Sequence, residues 1–166
     1  MPTSNAKPGT LPKLIEDDIY RLNEILRAFL LRTTATTAVL MDVGGFVITS
    51  QGETGLFDIT AIAALASGAY MANQTIANLV TNTHFDSVFQ EGERNSLFIV
   101  CVDEHCLLTV IFEARTKVGT VKYFATSTVR VLAQQIQLAK QRSPESGVDL
   151  SVLNRADTRD VFRQSP

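Results

Sequence analysis

The sequence predicts an α/β protein of the α+β type: a five-stranded antiparallel sheet with two helices on one face and one on the other. Three segments place apolar residues at steps of three and four, which is the spacing of helices. Five short segments rich in β-branched and aromatic residues are joined by short turns. Strands joined by short turns run antiparallel, and both faces of such a sheet must be covered. The predicted element order is α-β-β-α-β-β-β-α.

Each element has its own signal along the chain. The first helix is predicted over residues 13–31, where acidic residues 16–18 favour the positive end of the helix dipole. Residues 33–50 are predicted to form two strands joined at Gly44-Gly45, because a tight hairpin turn needs positive φ. Asp58 is the predicted N-cap of a helix over residues 59–81. Three strands and a last helix follow, at residues 85–90, 97–102, 107–113 and 117–140.

The chain of 166 residues suits one domain with a polar N-terminal arm and a C-terminal tail that contains scattered apolar residues. Residues 1–12 contain Pro2 and Pro8 and are predicted to be a flexible arm. The domain is predicted over residues 13–142. Residues 143–166 begin with Ser143-Pro144 and are predicted to be a linker and C-terminal tail.

Composition narrows the function classes. The net charge is −2 and no basic block is present, so we expect no nucleic-acid partner. Two cysteines cannot form a disulfide scaffold, and the N-terminus lacks a signal-type apolar run, so we expect a cytoplasmic protein. The longest uncharged segment is interrupted by polar residues such as Thr60, Asn73 and Gln74, so we expect no membrane insertion.

No chemical motif predicts catalysis or a cofactor. Cys101, His105 and Cys106 cluster, with His84 elsewhere, but this spacing is irregular for zinc. We interpret the cysteines as reduced thiols that face each other across a hairpin. A phosphate-binding loop needs a Gly-Lys-Ser/Thr sequence, and no lysine lies between residues 13 and 117. We therefore expect no cofactor, no metal and no active site of its own.

The second predicted helix lies in a segment without Asp, Glu, Lys or Arg from Ile59 to Phe85. A surface helix of a lone domain normally keeps a charged face, so we expect this helix to be covered on more than one side. Two interpretations remain open: an alanine-rich core helix under a loop, or a subunit interface. At 100° per residue the helix has a predicted sheet side (Ile62, Ala66, Ala69, Asn73, Ile76, Val80), a second stripe (Ala61, Leu65, Gly68, Ala72, Leu79) and a third side (Thr60, Ala64, Ser67, Met71, Gln74, Asn78).

Three motifs follow one another along the chain: an Asp42-x-Gly-Gly-Phe46 hairpin, residues 91–100, and residues 107–119 with an Arg115-Thr116-x-x-Gly119 exit into the last helix. In this order they resemble the Roadblock/dynein light chain family. The resemblance covers about residues 13–140, and within the family it is greatest to bacterial regulators of gliding motility.

The resemblance implies a homodimer that binds a small Ras-like GTPase and activates it by repositioning the catalytic residues of the GTPase. It also implies a C-terminal extension that touches the GTPase, for which Leu153 and Phe162 are candidate anchors; Arg155, Arg159 and Arg163 depart from the expected acidic tail. The alternatives are a scaffold that binds a GTPase without stimulating hydrolysis and a self-associating structural module. The implied dimer interface is Ala61, Leu65, Gly68, Ala72, Ser87, Val88, Phe89 and Gln90, and the implied GTPase contacts are Thr60, Ala64, Ser67, Gly68 and Met71.

Overall fold

The computed structural model describes residues 11–142 and confirms the predicted fold class and element order. The predicted arm and tail, with Leu153 and Phe162, fall almost wholly outside the described residues. The elements are α1 (Glu16–Thr33), β1 (Thr37–Asp42), β2 (Val47–Gly52), a short 3-10 turn (Thr54–Leu56), α2 (Ile59–Val80), β3 (Ser87–Gln90), β4 (Asn95–Cys101), β5 (Cys106–Glu113) and α3 (Val118–Lys140).

All neighbouring strands of the sheet are antiparallel, in the order β2-β1-β5-β4-β3. β1 pairs with β5 and so joins the hairpin β1–β2 to the hairpin β4–β5, while β2 and β3 lie at the two edges. Successive side chains of a strand point to opposite faces, so Ala38 and Leu40 pack towards α1 and α3, whereas Val39 and Met41 pack towards α2.

Helices α1 and α3 cover the larger core. Leu22, Leu26 and Phe29 of α1 and Leu132 and Ile136 of α3 are fully or almost fully buried. They pack on the alternate side chains of all five strands. Burial of a large aliphatic or aromatic side chain contributes about 1.5–3 kcal/mol, so this face supplies most of the apolar stabilisation of the fold.

The start of α1 is tied to the end of α3 by one buried carboxylate. Asp18 is 2% exposed and accepts hydrogen bonds from the Ile15 N–H at 2.9 Å and from Gln135 Nε2 at 2.9 Å, and it pairs with Arg142. Burial by itself raises the pKa of this carboxyl, but the hydrogen bonds and charge of Arg142, with the Ile15 N–H and Gln135, outweigh it and hold the pKa below its usual value. The ionised carboxylate therefore holds the two helices together.

Helix α2 covers the other face of the sheet, as predicted, but with a different side. Asp58 caps it as expected, accepting a hydrogen bond from the Ala61 N–H at 3.0 Å. The buried side chains are Ala63, Ala66, Ser67, Tyr70 and Ala77. The predicted sheet side (Ile62, Ala66, Ala69, Asn73, Ile76, Val80) lies roughly 90° around the helix from the observed one, at 100° per residue. Ala66 is buried and Ala69 packs partly buried against the smaller core, but Ile76 and Val80 are exposed, so the prediction is wrong for these two.

The rotation of α2 follows from small side chains. Ala63 and Ala66 are buried and let the helix axis approach the sheet closely, and Tyr70 reaches Cys101 on β4. Ile76 and Val80, which are larger, lie 48% and 71% exposed on the flank. A helix that is apolar on every side does not mark its buried face by hydropathy, which is why the sequence pattern selected the wrong side.

Candidate protein-interaction site

The second stripe of α2 points away from the sheet and is covered by nothing among the described residues. Leu65 is 73% exposed and Leu79 is 82% exposed, and Ala61, Gly68 and Ala72 between them are also exposed. An exposed contiguous apolar surface of this kind is typical of protein–protein contact sites. The four predicted dimer residues of this helix therefore lie together on one accessible face.

No contact within the described chain explains why a glycine occupies position 68 of this stripe. Glycine in the middle of a helix destabilises it by about 0.5–1 kcal/mol relative to alanine. A Cβ placed at Gly68 meets no atom within 4 Å. The absence of a side chain therefore satisfies no packing requirement within residues 11–142, and it leaves room for the close approach of another backbone.

The third side of α2 is partly occupied by the turn between β1 and β2. Gly45 has φ +88°, and a Cβ there would lie 2.8 Å from the Cα of Ala64 and 3.3 Å from the Cβ of Ser67. Ser67 is 5% exposed, and its hydroxyl donates to the Val43 carbonyl. Ser67 therefore packs inside the fold, while the other candidate GTPase contacts, Thr60, Ala64, Gly68 and Met71, are exposed.

The turn that holds α2 is itself held by the β4–β5 turn. The Val43 N–H donates to the His105 carbonyl at 2.9 Å, and the Phe46 N–H donates to Asp42 Oδ1 at 2.9 Å. The His105 N–H in turn donates to Asp103 Oδ1 at 2.8 Å. The β1–β2 turn that contacts Ala64 and Ser67 is therefore held in place by its hydrogen bond to the β4–β5 turn.

The edge strand β3 lies beside α2 and contains the other four predicted dimer residues. Within the described part of the chain, it pairs with β4 alone, from Ser87 opposite Val100 to Gln90 opposite Leu97. Val88 is buried under α2, and Phe89 packs on the opposite face against the ring of Phe112. An edge with free backbone groups is a template for pairing with another strand.

The two cysteines do not face each other, which corrects the sequence prediction. Cys101 packs with the α2 side of the sheet and Cys106 with the α1–α3 side. Cys101 is opposite Leu107 in the ladder, so Cys106 is out of register by one residue and points to the other face. Both thiols are free, and burial raises the pKa of each.

In residues 11–142, no three His, Cys, Asp or Glu side chains group as they would to hold a metal ion. His105 sits next to Glu104, with 3.0 Å between its Nε2 and the carboxylate, and contacts neither cysteine through a described hydrogen bond. No helix in this part of the chain is both long and apolar enough to cross a bilayer.

Comparison with known families agrees with this architecture. The model of the Roadblock/LC7 domain matches residues 22–112, more than half of the chain, and the chain therefore belongs to the Roadblock/LC7 family. No curated protein sequence matches the chain.

Solved structures of MglB are similar to this chain over the whole domain. Myxococcus xanthus MglB is 26% identical with a TM-score of 0.72, covering 78% of this chain and 98% of that one. The gliding protein MglB from Thermus thermophilus is 27% identical with a TM-score of 0.70, covering 76% and 96%. A structure described as MglB with tetrameric arrangement is 27% identical with a TM-score of 0.72, covering 77% and 96%.

Proposed function

We propose that this protein is a homodimeric regulator of a small Ras-like GTPase of the MglA type, acting as a GTPase-activating protein. It supplies no catalytic residue of its own. It acts by holding the GTPase in the conformation in which the catalytic residues of the GTPase itself are in position. Membership of the Roadblock/LC7 family and the similarity to MglB structures support this class of function.

The observation that carries the proposal is the exposed, charge-free face of α2. No Asp, Glu, Lys or Arg lies between Ile59 and Phe85, yet the stripe from Ala61 to Ala72 points to solvent. Two copies of this helix side by side, with two β3 strands paired, would place two sets of the residues Thr60, Ala64, Gly68 and Met71 on one surface. A flat surface without charges permits close contact with a partner at a low desolvation cost.

A scaffold that binds a GTPase without stimulating hydrolysis is the second candidate. It uses the same surface of α2, so the geometry of residues 11–142 favours neither candidate over the other. Single-turnover phosphate release by an MglA-type GTPase, with and without saturating protein, separates them. Acceleration supports the activator, and binding without acceleration leaves the scaffold.

Gly68→Arg tests the surface, with Gly119→Arg as the matched control. Both glycines lie in helices, and a Cβ at either meets no atom within 4 Å, so both variants should fold. Gly119 is at the start of α3, on the other face of the sheet. We expect Gly68→Arg to abolish self-association and GTPase binding, and Gly119→Arg to retain both. Equal binding by the two variants would refute the proposed surface.

Sedimentation measures the self-association directly. The monomer has a mass of 18.2 kDa, and we expect a species of twice that mass at micromolar concentration. A monomer at 100 times that concentration would exclude the dimer, whatever the result with the GTPase.

A further inference from the structure

One side chain of α2 holds the backbone of the segment that leads into β3. Gln74 Nε2 donates to the Phe85 carbonyl at 2.5 Å, and the Phe85 N–H donates to Gln74 Oε1 at 3.2 Å. The carboxamide thus pairs with both backbone groups of one residue, as a neighbouring strand would. His84 Nδ1 lies 3.3 Å from the same Oε1.

The sequence places Gln74 on the third side of α2, the side that contains most of the candidate GTPase contacts. The structure gives it an intramolecular role instead, because both polar atoms of its carboxamide are already hydrogen-bonded within the chain. Both described hydrogen bonds of the Phe85 backbone come from this one side chain. Phe85 is two residues before β3, and the ladder with β4 begins only at Ser87.

Two further contacts of α2 and one hydrogen bond from β4 hold the same segment. Tyr70, one turn before Gln74, is buried beside Cys101 and Asp86, and burial together with these neighbours raises the pKa of its hydroxyl. The Asp86 carbonyl accepts a hydrogen bond from the Cys101 N–H at 3.3 Å. Val88 then packs under α2 in the smaller core. Of the α2 side chains in this group, Gln74 is the one that hydrogen-bonds to the backbone of the segment.

We propose that Gln74 is a positioning residue that locks the edge strand β3 to α2, so that the two parts of the self-association surface are presented as one rigid unit. This inference rests on the proposed self-association, because the surface it organises consists of the α2 stripe and β3. Its physical basis is geometric. In the proposed dimer, β3 pairs with the second β3 and α2 contacts the second α2 across the same two-fold axis. A shift of β3 along α2 would allow one of these contacts to form but not the other.

Two substitutions of Gln74 test the lock, with Asn78→Asp as the matched control. Gln74→Glu is nearly isosteric but places a carboxylate oxygen against the Phe85 carbonyl; Gln74→Met keeps the length and removes both hydrogen bonds. Asn78 lies one turn further on, is exposed, and undergoes the same change from amide to carboxylate. Circular dichroism first establishes that all three variants keep the helical content of the parent chain.

Hydrogen exchange and sedimentation then provide the two readouts. In both Gln74 variants we expect the amides of residues 83–90 to exchange at least tenfold faster, while those of α1 and α3 stay unchanged. We also expect a rise of at least tenfold in the dimer dissociation constant, against less than threefold for Asn78→Asp. A role confined to overall stability would instead raise exchange throughout the domain.

The possible failures are distinct. Unchanged exchange at residues 83–90 in Gln74→Met would show that the carboxamide does not hold this segment, and would overturn the inference with the dimer intact. Faster exchange with an unchanged dissociation constant would show that holding β3 does not organise the interface, which also overturns it. A parent protein that stays monomeric would remove the proposed function itself, independently of the exchange result on Gln74.

Discussion

Replacement of Gly45 by alanine tests whether the β1–β2 turn sets the position of α2. A Cβ at Gly45 would lie 2.8 Å from the Cα of Ala64 and 3.2 Å from the carbonyl oxygen of Ala63, both of them backbone atoms. Because backbone atoms cannot rotate away, the turn or the helix must shift. Forcing an extra methyl into a packed contact destabilises by about 1–3 kcal/mol.

The backbone conformation adds a second cost. Gly45 has φ +88°, and a residue with a Cβ is strained in the left-handed region by roughly 1–2 kcal/mol. Alanine also reduces the conformational entropy of the unfolded chain, which stabilises the folded state by about 0.4–1 kcal/mol. We therefore expect Gly45→Ala to lower the free energy of unfolding by about 2–4 kcal/mol. That corresponds to a fall in Tm of roughly 5–15 °C for a domain of this size.

Gly44→Ala is the matched control in the same turn. Gly44 does not have positive φ, and a Cβ there would first meet Asp42 Oδ1 at 3.3 Å and the Phe46 ring at 3.6 Å, which are side-chain atoms. We expect a change within about 1 kcal/mol, since side chains can adjust. Urea denaturation measures the free energy of unfolding of both variants. The protein concentration is kept the same, because association stabilises the folded state. Equal stability of the two variants would refute the role of this turn.

Three other predictions follow from the described contacts. Asp18→Asn should lower the free energy of unfolding by about 1–3 kcal/mol at pH 7, because it breaks the pair with Arg142. Since the folded pKa of Asp18 is lowered, the difference from the parent should shrink as the pH falls below about 4. A difference that stays constant from pH 7 to pH 3 in urea denaturation would contradict this. Gly68→Ala should raise monomer stability by about 0.5–1 kcal/mol yet weaken self-association in sedimentation; unweakened association would count against a close contact there. Cys101 and Cys106 should form no intramolecular disulfide under mild oxidation, since they lie on opposite faces of the sheet; a native mass lower by two hydrogens would contradict their placement.

The element order and the start of α2 were predictable because they depend on local interactions. Asp58 caps its helix through a hydrogen bond to the Ala61 N–H, three residues away, and Gly45 supplies the positive φ of its hairpin turn. Short links made β1–β2, β3–β4 and β4–β5 antiparallel neighbours, whereas the pairing of β1 with β5 is a contact between strands far apart in the chain. The two-plus-one arrangement of helices then followed from the need to cover both faces of the sheet.

The candidate site was only partly predictable because it depends on contacts between residues that are far apart in the chain. The absence of charge identified α2 as the helix of interest, and the stripe of Ala61, Leu65, Gly68 and Ala72 is exposed as a contact surface requires. A single sequence does not reveal which polar side chains form hydrogen bonds within the folded chain. Ser67 is a predicted GTPase contact and Gln74 belongs to the same predicted side of α2, but their hydrogen bonds are made to Val43 and Phe85, which are distant in the sequence or lie beyond the helix.

The sequence by itself determined the order of the elements, the sheet class and the one helix without charges, since each of these is written in spacing and composition. Only the tertiary structure decided which side of α2 faces the sheet, that Cys101 and Cys106 lie on opposite faces, and that Gln74 joins α2 to the β3 edge. These features depend on contacts between residues far apart in the chain. Their geometry is set by how closely small side chains let two elements approach, which hydropathy along the sequence does not record.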